Sequence, residues 1–294
     1  MDIEKAEMII DIHTHLFPAV IRENREQYFL DEPAFELLYR DPRARMVGSD
    51  EMIRAMDEHG VDVSVVFGFP WLNADTCRRH NDYILESVSR HPDRLVGLCC
   101  VNPYTKDADQ EVRRCLEAGL SGVGEIALYQ EGGITQEAVN RMAPIMEQCN
   151  ERGLPVLFHT NEPVGHKYPG KSDNTLAQIY NLVKIYSGNT IILAHWGGGL
   201  FFYSLLKKEI GQVLENVYFD TAASPFLYDS RIYRVAAELA GEDKIAFGTD
   251  YPLIPPDRYY REIESSGISA TARKKLLGEN AAGIFSISYD KKRV

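Results

Sequence analysis

Strand-like and helix-like runs alternate eight times along this chain, and that rhythm constrains the fold more than any single motif. Apolar, strand-like runs fall at residues 8–15, 63–69, 95–101, 123–128, 155–160, 190–195, 217–221 and 244–249. Helical spacing follows them. Ser49 is expected to cap a helix that stops at Gly60, and further helices are expected over residues 74–90, 107–118, 136–152, 175–186, 200–214 and 228–240. Regular β/α alternation calls for a parallel sheet, because each crossover helix returns the chain to the same sheet end, and eight units fit a closed (β/α)8 barrel. An open doubly wound sheet is the alternative. The chain has 294 residues, so one barrel domain over residues 1–294 is expected. Residues 16–48 are too many for an ordinary connection and predict a lid-like insertion after strand 1. The tail, residues 258–285, predicts extra C-terminal helices, with Leu276-Leu277-Gly278 as one helix stop.

The first strand reads Met8-Ile9-Ile10-Asp11-Ile12-His13-Thr14-His15. Side chains two apart on a strand share a face, so His13 and His15 point the same way. Two imidazoles on one rigid strand end can grip a divalent metal, although a pair of hydrogen-bonded core histidines would give the same pattern. The other strand ends decide between the two. Strand four ends near Glu125, strand five at His159, strand six at His195 and strand eight at Asp250. Glu125 and His159 are 34 residues apart, His159 and His195 are 36, and His195 and Asp250 are 55, or about two repeat units. Metal-competent side chains thus recur at one phase of the repeat, and a barrel would gather them at its carboxyl mouth, where barrel enzymes keep their active sites. His59, His80 and His91 fall in helical or loop segments and are expected at the surface.

Charge and composition remove several function classes. Lys plus Arg number 32 against 43 Asp plus Glu, a net charge of −11, and the longest basic cluster is the C-terminal Lys291-Lys292-Arg293. That balance argues against nucleic acid or an anionic membrane as partner and leaves a small-molecule substrate. The start, Met1-Asp2-Ile3-Glu4-Lys5, is unlike a signal peptide, and no apolar run approaches the ~18 residues of a membrane span. The five cysteines contain no CxxC pair and read as reduced thiols, with Cys99 and Cys100 on opposite strand faces. A cytoplasmic protein is expected. No GxSxG elbow or catalytic-cysteine context is present, so covalent nucleophilic hydrolysis drops out. Nothing in the sequence excludes a homo-oligomer.

Taken together, Asp11-Ile12-His13-Thr14-His15, His159, Leu193-Ala194-His195-Trp196-Gly197-Gly198 and Phe247-Gly248-Thr249-Asp250-Tyr251-Pro252 resemble the amidohydrolase superfamily of metal-dependent barrels. The amidohydrolase-related branch is the nearest in pattern. Gly278-Glu279-Asn280-Ala281-Ala282 resembles that branch's final helix signature, and the likeness covers essentially the whole chain. The resemblance implies that His13, His15, His159 and Asp250 bind a metal, Zn²⁺ foremost, with Mn²⁺ or another divalent ion as the alternative. Three imidazoles and a carboxylate suit zinc, which can lower the pKa of bound water from about 15.7 towards 7. Asp250 is then the general base, and His195 either polarises substrate or, in binuclear relatives, binds a second ion. Glu125 is expected either to bridge two metals or to stand behind one. The chain has no strand-four lysine to serve as a carbamylated bridge.

The expected activity is therefore metal-dependent hydrolysis of a small amide, ester or lactone, with Asp250 and His195 as the catalytic pair. The same motifs resemble nonoxidative decarboxylases and hydratases of small carboxylic acids, the first alternative. A barrel that binds a metal or ligand without turnover is the second. Glu125 weighs against a carboxylate substrate unless a second metal offsets its charge, and Arg43, Arg45 and Lys167 are the cations that would weigh for one. Asn161, His166 and Lys167 on the loop after strand five, with Trp71, Trp196 and Tyr251 at strand ends, are expected to contact substrate; a solvated loop and ordinary aromatic packing are the plainer readings. Phe69 is a further candidate wall. Gly197-Gly198-Gly199 reads as a tight strand-to-helix turn and not as a nucleotide cradle.

Overall fold

Each apolar run forms a short buried strand, and the strands hydrogen-bond in sequence order. The computed structural model describes residues 8–206 and 209–288; the basic cluster Lys291-Lys292-Arg293 and the Met1–Lys5 start lie outside that range. Strands β1 (Ile10–His15), β2 (Val63–Phe67) and β3 (Leu95–Gly97) form one parallel set. Strands β4 (Val123–Ile126), β5 (Val156–Phe158), β6 (Ile191–Leu193), β7 (Val217–Asp220) and β8 (Ile245–Ala246) form the other. The two sets join at both seams. Cys99 bridges Val123 on one side, and Thr14 bridges Tyr251 on the other. The Ile12 and Asp250 amides donate across that second seam to Phe247 and His13 carbonyls. The result is a closed (β/α)8 barrel.

Alternation along the strands separates two apolar layers. Ile10, Ile12, Val65, Phe67, Cys100, Leu157 and Ile192 fill the barrel interior, whereas Val66, Cys99, Val156, Leu193 and Phe219 face the helices. Cys99 and Cys100 do point to opposite faces, and all five cysteines are free and buried. No helix among the described residues is long and apolar enough to cross a membrane.

The insertion after β1 carries helices α1 (Ala19–Glu23) and α2 (Pro33–Tyr39), with a 3-10 turn at Arg25–Tyr28 between them. Its aromatics fix it over the barrel. Phe35 packs on Trp71 with ring centroids 4.6 Å apart and on Phe69 at 5.3 Å, and Phe17 packs edge-on to Tyr39 at 5.1 Å. The buried Glu32 accepts the Leu72 and Asn73 amides, clamping the insertion to the loop after β2.

Helix α3 (Ser49–His59) ends at Gly60, whose left-handed φ of 69° closes it as expected. Its cap differs: Gly48 occupies that position, no side chain caps the turn, and the Ser49 amide is satisfied by the Tyr83 hydroxyl. Helices α4 (Ala74–Arg90), α5 (Ala108–Glu117), α6 (Gln136–Arg152) and α7 (Leu176–Ile185) follow the amphipathic spacing closely. Among the described residues, the helix expected over 200–214 is replaced by 3-10 geometry to Leu205 and a short α-helix at its end. After β6 the chain passes through a kinked 3-10 stretch, His195–Leu205, in which Trp196 and the three following glycines all have positive φ. Consecutive left-handed residues break an α-helix, and three glycines supply that conformation without a Cβ clash. Only α8 (Ile210–Val213) remains of it. Short α9 (Ser224–Leu227) and longer α10 (Ile232–Ala240) follow β7, and α11 (Pro256–Ser265), α12 (Ala270–Lys274) and α13 (Asn280–Ile284) make up the C-terminal helices. Gly278 is no helix stop. It lies in a wide π-type turn between α12 and α13, where a Cβ would run into the Met8 carbonyl, and it lets α13 plug the floor of the barrel.

Candidate metal centre

The barrel brings His13, His15, Glu125, His159, His195 and Asp250 together at its carboxyl mouth, although they come from five strands. Within the ring, ligand atoms of three overlapping trios lie within 4.8 Å of one another: His13, His15 and Glu125; His13, His195 and Asp250; and Glu125, His159 and His195. Two carboxylate oxygens organise the centre. Glu125 Oε1 is 2.9 Å from His159 Nδ1 and 3.8 Å from both His13 Nε2 and His195 Nε2. Asp250 Oδ1 is 3.2 Å from His15 Nε2 and 3.8 Å from His13 Nε2.

Each imidazole has one nitrogen tied outward to an oxygen that can only accept. His13 Nδ1 donates to Asp220 Oδ2 at 2.8 Å, His15 Nδ1 to the Gly68 carbonyl at 3.3 Å, His195 Nδ1 to the Ala222 carbonyl at 2.9 Å and His159 Nε2 to the Gly170 carbonyl at 2.9 Å. The other nitrogen of each ring faces the carboxylates: His159 Nδ1 donates to Glu125 Oε1 at 2.9 Å, and a cation taking the place of such protons would meet one lone pair from each of the four rings. His13 Nε2 is buried and has no hydrogen-bond partner at all. An orphaned buried nitrogen among three more imidazoles and two carboxylates fits a divalent cation, which would occupy the space those atoms face.

The titrations follow from this crowding. Burial opposes charge on His13, but Asp220, Glu125 and Asp250 outweigh it and raise its pKa to about 10. His159 is raised too: burial opposes, and Glu125 and the Gly170 carbonyl prevail. Burial together with the neighbouring His159 lowers His195, which therefore rests neutral. Burial pushes Glu125 and Asp250 upward, yet the surrounding imidazoles hold both carboxyls below their usual range.

The expected substrate contacts fall into two groups. Tyr251, beside Asp250, is nearly buried and carries the Arg45 guanidinium 5.7 Å above its ring. Asn161 is buried and turned to its own loop, where its Oδ1 accepts from the Ser172 amide and hydroxyl. His166 and Lys167 are exposed on that loop. Trp71 and Trp196 are fully buried with their indole N–H groups already bonded, to His80 Nδ1 and Ser224 Oγ, so they are packing residues and not an open pocket wall. Phe69 is buried under the insertion in the same way. Arg43 is 89% exposed and paired with Asp41.

His80 also departs from expectation. It is 1% exposed, accepts from Trp71 Nε1 and donates from Nε2 to the Leu16 carbonyl at 2.6 Å, linking the exit of β1 to the loop after β2. His59 and His91 are half-buried, near Asp257 and Asp50. Three residues beyond those the sequence singled out belong to the site. Asp220 ends β7 in the same phase as the ligands ending their strands, and that phase is the signal that marks it. Tyr39, from α2, and Tyr129, after β4, lie within electrostatic reach of Glu125 and Asp250, which add to burial in raising both phenols. The Tyr129 ring is 5.4 Å from that of His159.

A family model described as amidohydrolase matches residues 10–287. A 2-amino-3-carboxymuconate-6-semialdehyde decarboxylase of Dictyostelium discoideum is 26% identical, the match covering 96% of this chain and 92% of that one. The crystal structure of 5-carboxyvanillate decarboxylase from Sphingomonas paucimobilis aligns with a TM-score of 0.77 at 18% identity, covering 96% of this chain and 100% of the other. A dihydroxybenzoic acid decarboxylase from Polaromonas sp. JS666, solved with bound manganese and the inhibitor 2-nitroresorcinol, aligns at 0.69 and 20% identity, covering 95% and 97%. These structural likenesses establish the barrel. The relatives also overturn the hydrolase expectation, since all three are named decarboxylases along nearly their full length.

Proposed function

The chain belongs to the amidohydrolase family, and from that premise we propose that it is a divalent-metal-dependent, nonoxidative decarboxylase of a small aromatic or unsaturated carboxylic acid. The observation that carries this reading is that the relatives matching almost the whole chain are decarboxylases of such acids. Residues 1–294 act as one catalytic domain. His13, His15, His159 and Asp250 would hold the cation, manganese or zinc; manganese occupies the Polaromonas relative, and the donor set suits either.

When bound, the cation supplies positive charge that holds an anionic substrate and stabilises the electrons left behind as CO₂ departs. This chain's residues do the rest. The bond to the carboxyl group breaks, its electron pair goes to the substrate carbon, and that carbon takes a proton. His195 Nε2 delivers it: because burial and His159 lower the pKa of this ring, its protonated form gives up a proton more readily than an ordinary imidazolium. Asp250, which shares a cluster with His195 and His13, passes the replacement proton. Tyr251 packs under Arg45 on the α3 side, so of the expected substrate contacts Lys167, exposed on the loop after β5, is the cation free to meet a carboxylate.

Glu125 fits this reading only if its charge is balanced. It is ionised among three imidazoles, and an uncompensated anion would repel a substrate carboxylate by roughly 4 kcal/mol at 4 Å and an effective dielectric of 20. Glu125 would therefore serve as a further ligand to the metal, beside His13 and His15. The trio Glu125, His159 and His195 favours a second arrangement, in which Glu125 bridges to another ion and His195 is a ligand and not the proton donor. Elemental analysis separates the two: one equivalent per chain supports the proton-donor role of His195, and two support the bridge. The reading as a whole is tested by assaying CO₂ release from hydroxy- and amino-substituted aromatic acids with added Mn²⁺. Release that stops with a chelator supports it, and none across the set would sink it.

A further inference from the structure

Asp220 is fully buried at the end of β7, and among the described residues no Lys or Arg nitrogen lies within ion-pair distance of it. A buried carboxylate without a cationic side chain is costly unless hydrogen bonds and a nearby positive charge compensate it. Three N–H groups do part of this. Oδ2 accepts from His13 Nδ1 at 2.8 Å, while Oδ1 accepts from the His195 amide at 2.8 Å and the Ala222 amide at 3.0 Å. Two residues along, the Ala222 carbonyl accepts from His195 Nδ1. The turn after β7 thus brackets two histidines from different strands, a fixed ring on β1 and a fixed backbone and ring after β6. An uncharged, apolar strand end would serve the barrel as well or better, so the cost points to the centre.

We propose that Asp220 is a positioning residue: it holds the Nδ1 proton of His13 outward, so that Nε2 faces the cation as a lone pair, and it locks His195 to the same carboxylate. The proposal rests on the metal-centre reading above. It is distinct from a packing role because Asp220→Asn keeps volume and keeps the Oδ1 acceptor for both amides. The amide nitrogen, however, would now face His13 Nδ1 with hydrogens of its own. His13 must then accept at Nδ1 and carry its proton on Nε2, directed at the cation.

The test is Mn²⁺ affinity of the purified full chain, measured by the loss of the free-ion paramagnetic signal, for wild type and D220N. The expected result is binding 10–100-fold weaker in D220N, with the metal-free variant still folded and giving a cooperative melting transition. Equal affinities in the two proteins would overturn the role of Asp220 while leaving the metal centre intact. A wild type that binds neither Mn²⁺ nor Zn²⁺ would overturn both. Should D220N not fold, nitrogen-15 spectra of histidine-labelled, Zn²⁺-loaded wild type decide. His13 bound through Nε2 with its Nδ1 proton retained supports the proposal, and ligation through Nδ1 contradicts it.

Discussion

Loading the centre with a divalent ion should release protons, and the surroundings of His13 give the scale. Asp220 Oδ2 lies 2.8 Å from one ring nitrogen, and carboxylate oxygens of Glu125 and Asp250 each lie 3.8 Å from the other. Each such contact is worth a few kcal/mol, about 4 at 4 Å and an effective dielectric of 20. Against burial, the net result is a pKa raised from 6.5 to about 10. At pH 7.5 the cation must therefore displace a proton held by about 3 kcal/mol, which weakens apparent binding on the order of a hundredfold relative to the deprotonated ring. Calorimetric titration of the metal-free protein with Mn²⁺, in buffers of different ionisation enthalpy between pH 6.5 and 9, reads this directly. At least one proton should leave per ion at pH 7.5, His159 adding to the count, and affinity should rise about tenfold per pH unit. Proton release near zero with affinity flat over that range would refute the reasoning. The same shift sets the stability of the metal-free protein. A raised folded-state pKa gives stabilisation that is complete below 6.5 and is lost as pH rises towards 10, so its melting temperature should fall across that window.

Three substitutions probe other parts of the account. Asp250→Asn removes both a ligand charge and the proton relay, and CO₂ release should drop at least ~100-fold in steady-state assays; unchanged turnover would remove Asp250 from the mechanism. Gly248→Ala sets a Cβ 2.9 Å from His13 Cβ, so it should cost about 1–3 kcal/mol in denaturant unfolding and weaken Mn²⁺ binding as the ring is displaced. His80→Leu strands the Trp71 N–H and the Leu16 carbonyl, for an expected loss of about 2–5 kcal/mol. A melting curve matching wild type would show that this buried imidazole does not tie the exit of β1 in place.

The ligand ring was legible because a barrel converts sequence phase into spatial position: His13, Glu125, His159, His195 and Asp250 each end a strand. Asp220 obeyed the same rule but passed as an ordinary residue at a strand-to-loop junction, since a lone acid there also suits a turn. His80 was hidden for another reason. Helix α4 carries Arg78 and Arg79 beside it, and periodicity alone does not say that one histidine on such a helix meets a tryptophan beneath the insertion. Trp71 and Trp196 take the plainer of the two readings, buried with their indole N–H groups bonded, because a pocket wall and a packed layer have the same composition at a strand end. After β6 the three left-handed glycines account for the kink that precedes the expected helix, and nothing in the spacing distinguishes the 3-10 winding beyond them from an α-helix. The reaction itself was the least legible feature. The same imidazoles and carboxylates can serve hydrolysis or decarboxylation, so neither their identity nor the fold separates the two.

The most direct measurement follows the atoms of a turned-over carboxylic acid in D₂O containing ¹⁸O-labelled water. The account predicts one CO₂ per turnover and a product with a single deuterium at the carbon that bore the carboxyl group. A product that keeps its carboxyl carbon and gains solvent oxygen would contradict it.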